Sequence, residues 1–110
     1  GASFVARTTA FHVQEMQSMI KEALQHPGFS LIEVVSACPV IYGRLNKKGG
    51  AAQMLKDFRD NSLPLTAVEK LPPEKVEGKI IRGILRKEIR PEFTAEYAAL
   101  CKRVQTERGE

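Results

Sequence analysis

A cysteine followed at once by proline closes the most apolar stretch of this chain, Gly28-Phe29-Ser30-Leu31-Ile32-Glu33-Val34-Val35-Ser36-Ala37-Cys38-Pro39. In open α/β sheets the carboxyl ends of buried strands face the crevice where ligands sit. Proline cannot continue a ladder, so Pro39 ends the strand and hands Cys38 to a loop. A thiol there can be a packed core atom, a redox nucleophile or a metal ligand. Arg44, Lys47 and Lys48 stand among Gly43, Gly49 and Gly50, which reads either as an anion grip or as a solvated basic loop. The spacing is not a P-loop, since no Gly-Lys-Ser/Thr opens a helix after four intervening residues. Arg7 can meet an anion or pair with a nearby acid. His12 and His26 flank a helical segment and read as local caps, His26 being favoured when charged near a helix C-terminus. Cys101 falls on an apolar helical face and reads as structural. No carboxylates converge at a spacing suited to acid–base chemistry, so no residue is assigned a catalytic role.

Composition bounds the rest. A chain of 110 residues suits one modest domain. No apolar run reaches membrane-spanning length and no basic-then-apolar leader opens the sequence, so the expectation is a soluble, non-secreted chain with no membrane partner. The net charge of +4 comes with interspersed acids and no aromatic platform, which argues against a nucleic-acid partner. Two distant cysteines point to the reducing cytoplasm rather than a disulfide framework.

The elements that must position these residues change character once. Ala2 to Ala6 predicts a short strand, and Thr8 or Thr9 a helix cap. Val13, Met16, Ile20, Ala23 and Leu24 recur at helical spacing. His26-Pro27-Gly28 stops that helix, and Phe29 to Ser36 predicts a strand buried on both faces. This is a βαβ unit with parallel strands and a right-handed crossover. Two parallel strands make no stable sheet alone, so their edges need partners from elsewhere. Beyond Cys38 the pattern loosens. Residues 43–50 predict a flexible loop, and Ala51, Met54, Leu55 and Phe58 a short helix ending near Asn61. Glu74 to Glu77 predicts a single turn, and Ile80 to Leu85 a strand in which Gly83 admits close backbone approach. Thr94 predicts the cap of a last helix carrying Tyr97, Leu100, Cys101 and Val104 on one stripe. The fold expected is α/β: a partial parallel sheet with an irregular α+β C-terminal extension.

Gly1-Ala2-Ser3-Phe4-Val5-Ala6-Arg7, a helix, His26-Pro27-Gly28-Phe29-Ser30-Leu31-Ile32-Glu33-Val34 and Ser36-Ala37-Cys38-Pro39 follow one another in this order. Tyr42-Gly43-Arg44-Leu45-Asn46-Lys47, Gly83-Ile84-Leu85 and Arg90-Pro91-Glu92-Phe93-Thr94 come after them. Together these stretches resemble the thiamine-diphosphate-binding β subunit of 2-oxoacid:ferredoxin oxidoreductases, especially its 2-oxoglutarate-type members (2-oxoglutarate synthases). Ala37 stands where the family commonly has proline, and Pro27 where it commonly has lysine. The family's G-D-G stretch for Mg2+ and diphosphate, and three further cluster cysteines, have no counterpart here and are expected upstream.

What the resemblance implies is a C-terminal fragment of an oxidoreductase subunit. Residues 1–38 would be part of the thiamine-diphosphate-binding domain and 39–110 the β-subunit extension. The reaction implied is oxidative decarboxylation of a 2-oxoacid to acyl-CoA, with electrons passing to ferredoxin. The cofactors implied are thiamine diphosphate, Mg2+ and a 4Fe–4S cluster in the full subunit. Cys38 matches the cluster ligand remote from the other three. Arg44 and Lys47 become candidate contacts for a diphosphate, a coenzyme A phosphate, a substrate carboxylate or an acidic ferredoxin face. One thiolate cannot hold a cluster, so the isolated chain is expected to bind neither cofactor and to be inactive. The partners implied are the rest of the β subunit, an α subunit (with γ and δ subunits in some assemblies), ferredoxin and coenzyme A. A second copy could also cover the strand edges. The alternative is a free-standing interaction module built on a βαβ unit.

Overall fold

The computed structural model describes residues 1–109. The first half is the βαβ unit: β1 (Phe4–Thr9), α1 (Val13–Gln25) and β2 (Ser30–Val35). β1 and β2 run parallel, with Phe4 opposite Ser30 and Thr9 opposite Val35. A π-helical turn, Pro39–Gly43, leads to α2 (Ala51–Asp60), β3 (Ser62–Pro64), α3 (Leu65–Val68), α4 (Pro73–Val76), β4 (Ile80–Lys87) and α5 (Phe93–Glu107). The sheet has four strands in the order β2-β1-β4-β3. β4 lies antiparallel to β1 and parallel to β3. The parallel βαβ pairing is as expected, within a larger, mixed sheet. The second edge of β1 is closed by a strand of this same chain.

Alternation along β1 puts Phe4, Ala6 and Thr8 on the face that α1 covers. Phe4, Ala6 and Met19 are buried there, with Ala23, Ile32 and Ile84 packed against them. On the other face α3 closes over β4: a Cβ at Gly83 would lie 3.1 Å from Leu65 Cβ. The glycine in this strand thus does admit a close neighbour.

Several boundaries differ from the sequence expectation. β1 extends through Thr8 and Thr9, which pair with Val34 and Val35 rather than capping α1; β-branched threonine suits a strand end as well as a cap. The residue before α1 is His12, whose side chain makes no capping bond. β2 is not buried on both faces. It is the edge of the sheet, and Phe29 (68% exposed) and Leu31 (50%) face outward. A continuous apolar run does not reveal whether its strand is central or at an edge. β3 was not foreseen, because Pro64 in so short a run argues against a strand; here it sits on the other edge, where proline is tolerated. α5 is capped by Glu92, not Thr94. Its carboxylate accepts from the backbone N–H of Thr94 (2.9 Å) and Ala95 (3.2 Å) and from the Thr94 hydroxyl. Those bonds, led by the hydroxyl's, hold the Glu92 carboxyl below its usual range. No residue of α5 is buried, and Phe93 and Tyr97 stack on its open surface at 6.0 Å between ring centroids. Among the described residues no helix is long and apolar enough to cross a membrane.

Candidate functional site

β2 ends at Val35, and Ser36 to Cys38 continue as an extended link. Pro39 therefore does not terminate the strand. It opens the π-helical turn, with Cys38 as the residue before it. Proline suits that first position because it lacks an N–H the turn would leave unpaired. The Cys38 carbonyl accepts from Gly43 N–H at 2.9 Å, so the turn folds back over its own start. The Cys38 side chain is exposed and forms no disulfide. Backbone N–H groups of Ile41 and Tyr42, in the turn that follows, hold the thiol below its ordinary range. Converging N–H donors favour the anionic form of the group they meet. The sulfur is accessible, and the direction of the shift favours the thiolate, the form that binds iron or zinc.

Beside this thiol opens a cavity of about 670 Å³. Val35, Phe58 and Ile80 line it with apolar surface, Met54 and Tyr42 stand beside the turn, and Lys48, Asp57 and Asn61 supply polar groups. The sequence does not point to Met54, Asp57, Asn61 or Ile80 as neighbours of Cys38. They come from α2, its end and β4, and only the tertiary fold brings them together. Of the basic loop, Lys48 lines this cavity, whereas Arg44 and Lys47 do not. Lys47 adopts a left-handed backbone, with φ of 53°. The described residues contain no group of three His, Cys, Asp or Glu able to hold a metal ion. Cys38 by itself can supply one thiolate and no more to a metal centre.

The other candidates resolve locally. Arg7 pairs with Glu33, its register partner on β2. His26 donates from Nε2 to Ser3 Oγ at 3.0 Å, and Ser3 donates to the Phe29 carbonyl. Cys101 is partly exposed on α5.

His12 lies 2.8 Å from Thr9 Oγ1 through Nδ1, next to an ion pair of Glu15 with Arg82 at 2.6 Å. Burial lowers the His12 pKa, Arg82 lowers it further and Glu15 opposes. The unfolded chain then binds more protons below its pKa of about 6.5. This contribution is full above that value and is lost as pH falls through it toward the folded pKa. His12→Gln is therefore expected to narrow the gap between urea midpoints measured at about pH 7.5 and about pH 5. An unchanged gap would assign the acid sensitivity to other groups.

No protein-family model matches the chain. Curated relatives do. The chain is 41% identical over 104 residues to the 2-oxoglutarate synthase subunit KorB of Methanothermobacter marburgensis, covering 94% of this chain and 34% of that protein. It is 37% identical over 107 residues to the same subunit of Methanocaldococcus jannaschii, covering 97% and 40%. A 2-oxoacid:ferredoxin oxidoreductase β subunit from Sulfolobus is 34% identical over 84 residues, covering 76% and 27%. The chain thus spans only 34% and 40% of the first two relatives' length. Among solved structures, a 2-oxoglutarate:ferredoxin oxidoreductase from Magnetococcus marinus, with 2-oxoglutarate, coenzyme A and succinyl-CoA bound, superposes with a TM-score of 0.69. It is 24% identical, covers 94% of this chain and 36% of that one, and shows the fold. With a four-stranded α/β sheet, the ordered motifs around Cys38 and identity sustained over nearly its whole length, the chain belongs to the β subunits of 2-oxoacid:ferredoxin oxidoreductases, of the 2-oxoglutarate type, and matches the C-terminal part of that subunit.

Proposed function

We propose that the chain works as the C-terminal part of the β subunit in an enzyme that oxidatively decarboxylates a 2-oxoacid, 2-oxoglutarate by the relatives' names, to its acyl-CoA with ferredoxin as electron acceptor. In this reading residues 1–38 complete the thiamine-diphosphate-binding domain and 39–110 form the subunit's extension. Cys38 contributes one thiolate to a 4Fe–4S cluster, which supplies one-electron transfer when bound. The other ligands, and the residues gripping thiamine diphosphate and Mg2+, come from the remainder of the subunit. An α subunit and further subunits complete the cytoplasmic enzyme.

The observation that carries the reading is the place of Cys38: an exposed thiol just beyond the carboxyl end of a parallel pair, at the start of a turn and on the wall of a cavity. This chain's own work is to aim that sulfur, through Pro39 and the turn, and to wall one side of the cavity beside it.

The test is anaerobic iron–sulfur reconstitution of the chain alone and with the separately expressed upstream segment, in wild type and Cys38→Ser. The expected result is a cluster absorbance that needs the upstream segment and is lost or shifted in Cys38→Ser. If the segments associate and Cys38→Ser leaves the spectrum unchanged, Cys38 is not a ligand. Absence of association would favour the free-standing interaction module.

A further inference from the structure

Six of the chain's 17 lysines and arginines stand in ion pairs among the described residues. Arg7 is paired with Glu33, Arg59 with Asp60, Arg82 with Glu15, Lys87 with Glu22, and Arg86 and Arg90 share Glu88. The stretch after Cys38 is set apart by holding cations with no acid among them in sequence. From Pro39 to Lys56 it carries Arg44, Lys47, Lys48 and Lys56 and no Asp or Glu, and none of these cations joins an ion pair among the described residues. Arg44, Lys47 and Lys48 are all exposed.

Backbone bonds tie these charges to the thiol. Gly43 N–H donates to the Cys38 carbonyl, and the Gly43 carbonyl accepts from Lys48 N–H, each at 2.9 Å. Between the cations stand Val40 and Ile41 (64% exposed each) and Leu45 (76%). A free phosphate or carboxylate needs the charges and has no use for those side chains. A protein surface needs both: apolar contact at the centre and complementary charge around it.

We infer that the turn and loop from Val40 to Lys48 form the docking surface for the acidic one-electron carrier that the enzyme reduces. This rests on the proposed oxidoreductase reading and assigns the anion that the basic loop meets. Docking brings the carrier's iron–sulfur group to the Cys38 side of the subunit. One electron leaves the reduced enzyme and enters the carrier, with no bond formed or broken. Contacts of this kind are small, under about 1,200 Å² in total, and rely on charge to raise the encounter rate by roughly 10–1,000-fold at low salt.

Two measurements test it. In the first, the ¹⁵N-labelled chain is titrated with a redox-inert, gallium-substituted acidic ferredoxin. Amide shifts are expected in residues 40–48, with affinity falling at higher salt and dropping about tenfold or more in the Arg44→Glu, Lys47→Glu variant. Shifts centred elsewhere overturn the proposal, as do the same shifts produced by coenzyme A alone. In the second, the assembled enzyme is assayed with the acidic ferredoxin and with methyl viologen. The variant is expected to lose about tenfold or more in kcat/KM for ferredoxin, with viologen reduction and the KM values for coenzyme A and 2-oxoglutarate unchanged. Equal ferredoxin kinetics in variant and wild type overturn the docking assignment and leave the enzyme reading standing. A wild-type assembly that reduces neither acceptor overturns the enzyme reading itself. Should charge reversal disturb folding, Arg44→Gln with Lys47→Gln decides by the same comparison.

Discussion

Phe4→Ala is expected to destabilise the chain by about 3–5 kcal/mol, the range for removing a buried aromatic side chain from a core. Phe4 is wholly buried, and its ring lies 5.5 Å from that of His26 between centroids. The buried set around it is small, only Ala6 and Met19, so little surrounding structure can collapse into the space left. A loss of that size is a large part of the 5–15 kcal/mol typical of a domain. It lowers the melting temperature by about 4–8 °C per kcal/mol in a domain a little smaller than this one. Phe4→Leu keeps most of the volume and is expected to cost under about 1.5 kcal/mol. Urea unfolding followed by circular dichroism separates the two, with the slope unchanged and the midpoint moved. Equal midpoints for the alanine and leucine variants would show that the face under α1 does not set the stability.

The second large effect belongs to Gly28. Its φ of +111° is a conformation that side chains rarely adopt, and a Cβ built there lies 2.6 Å from Ser3 Oγ. That hydroxyl accepts from His26 and donates to the Phe29 carbonyl, linking the end of α1 and the start of β2 to the residue before β1. Gly28→Ala must meet a backbone cost of about 1–3 kcal/mol. It must also displace Ser3, forfeiting about 1 kcal/mol for each hydrogen bond lost. Adding Ser3→Ala removes the clash but not the dihedral cost. The double variant should therefore be less destabilised than the sum of the two singles, a coupling that a double-mutant cycle reads directly. Additive single effects would mean that Ser3 and Gly28 do not press on each other.

Local features of the fold were legible and pairings were not. α1 and α2 could be read from the spacing of Val13, Met16 and Ile20 and of Met54 and Phe58, because helical periodicity sits within one window of sequence. Ile80 to Leu85 read as a strand, yet nothing within it says that Ile84 will sit beside Ala6. The edge position of β2 was hidden for the same reason. Glu92 and Thr94 are both able to cap α5, and propensity favoured the hydroxyl where the carboxylate reaches two N–H groups. At the site, Cys38-Pro39 announced a break after a strand. That the break becomes a turn folding back onto the Cys38 carbonyl depends on backbone dihedrals that no residue type dictates. The basic loop was visible as charge. That Arg44, Lys47 and Lys48 join no ion pair could be judged only from the fold.

The place of β4 beside β1 also sets an order of events during synthesis. The βαβ unit can assemble once Val35 has left the ribosome, because its contacts are near in sequence. The outer edge of β1 must then wait until Gly83 to Lys87 have been made. Closing so long a loop costs entropy before its contacts reward it, and distant pairings slow folding. During that interval β1 presents unpaired backbone groups to any neighbouring nascent chain, which makes it the segment for a chaperone to shield.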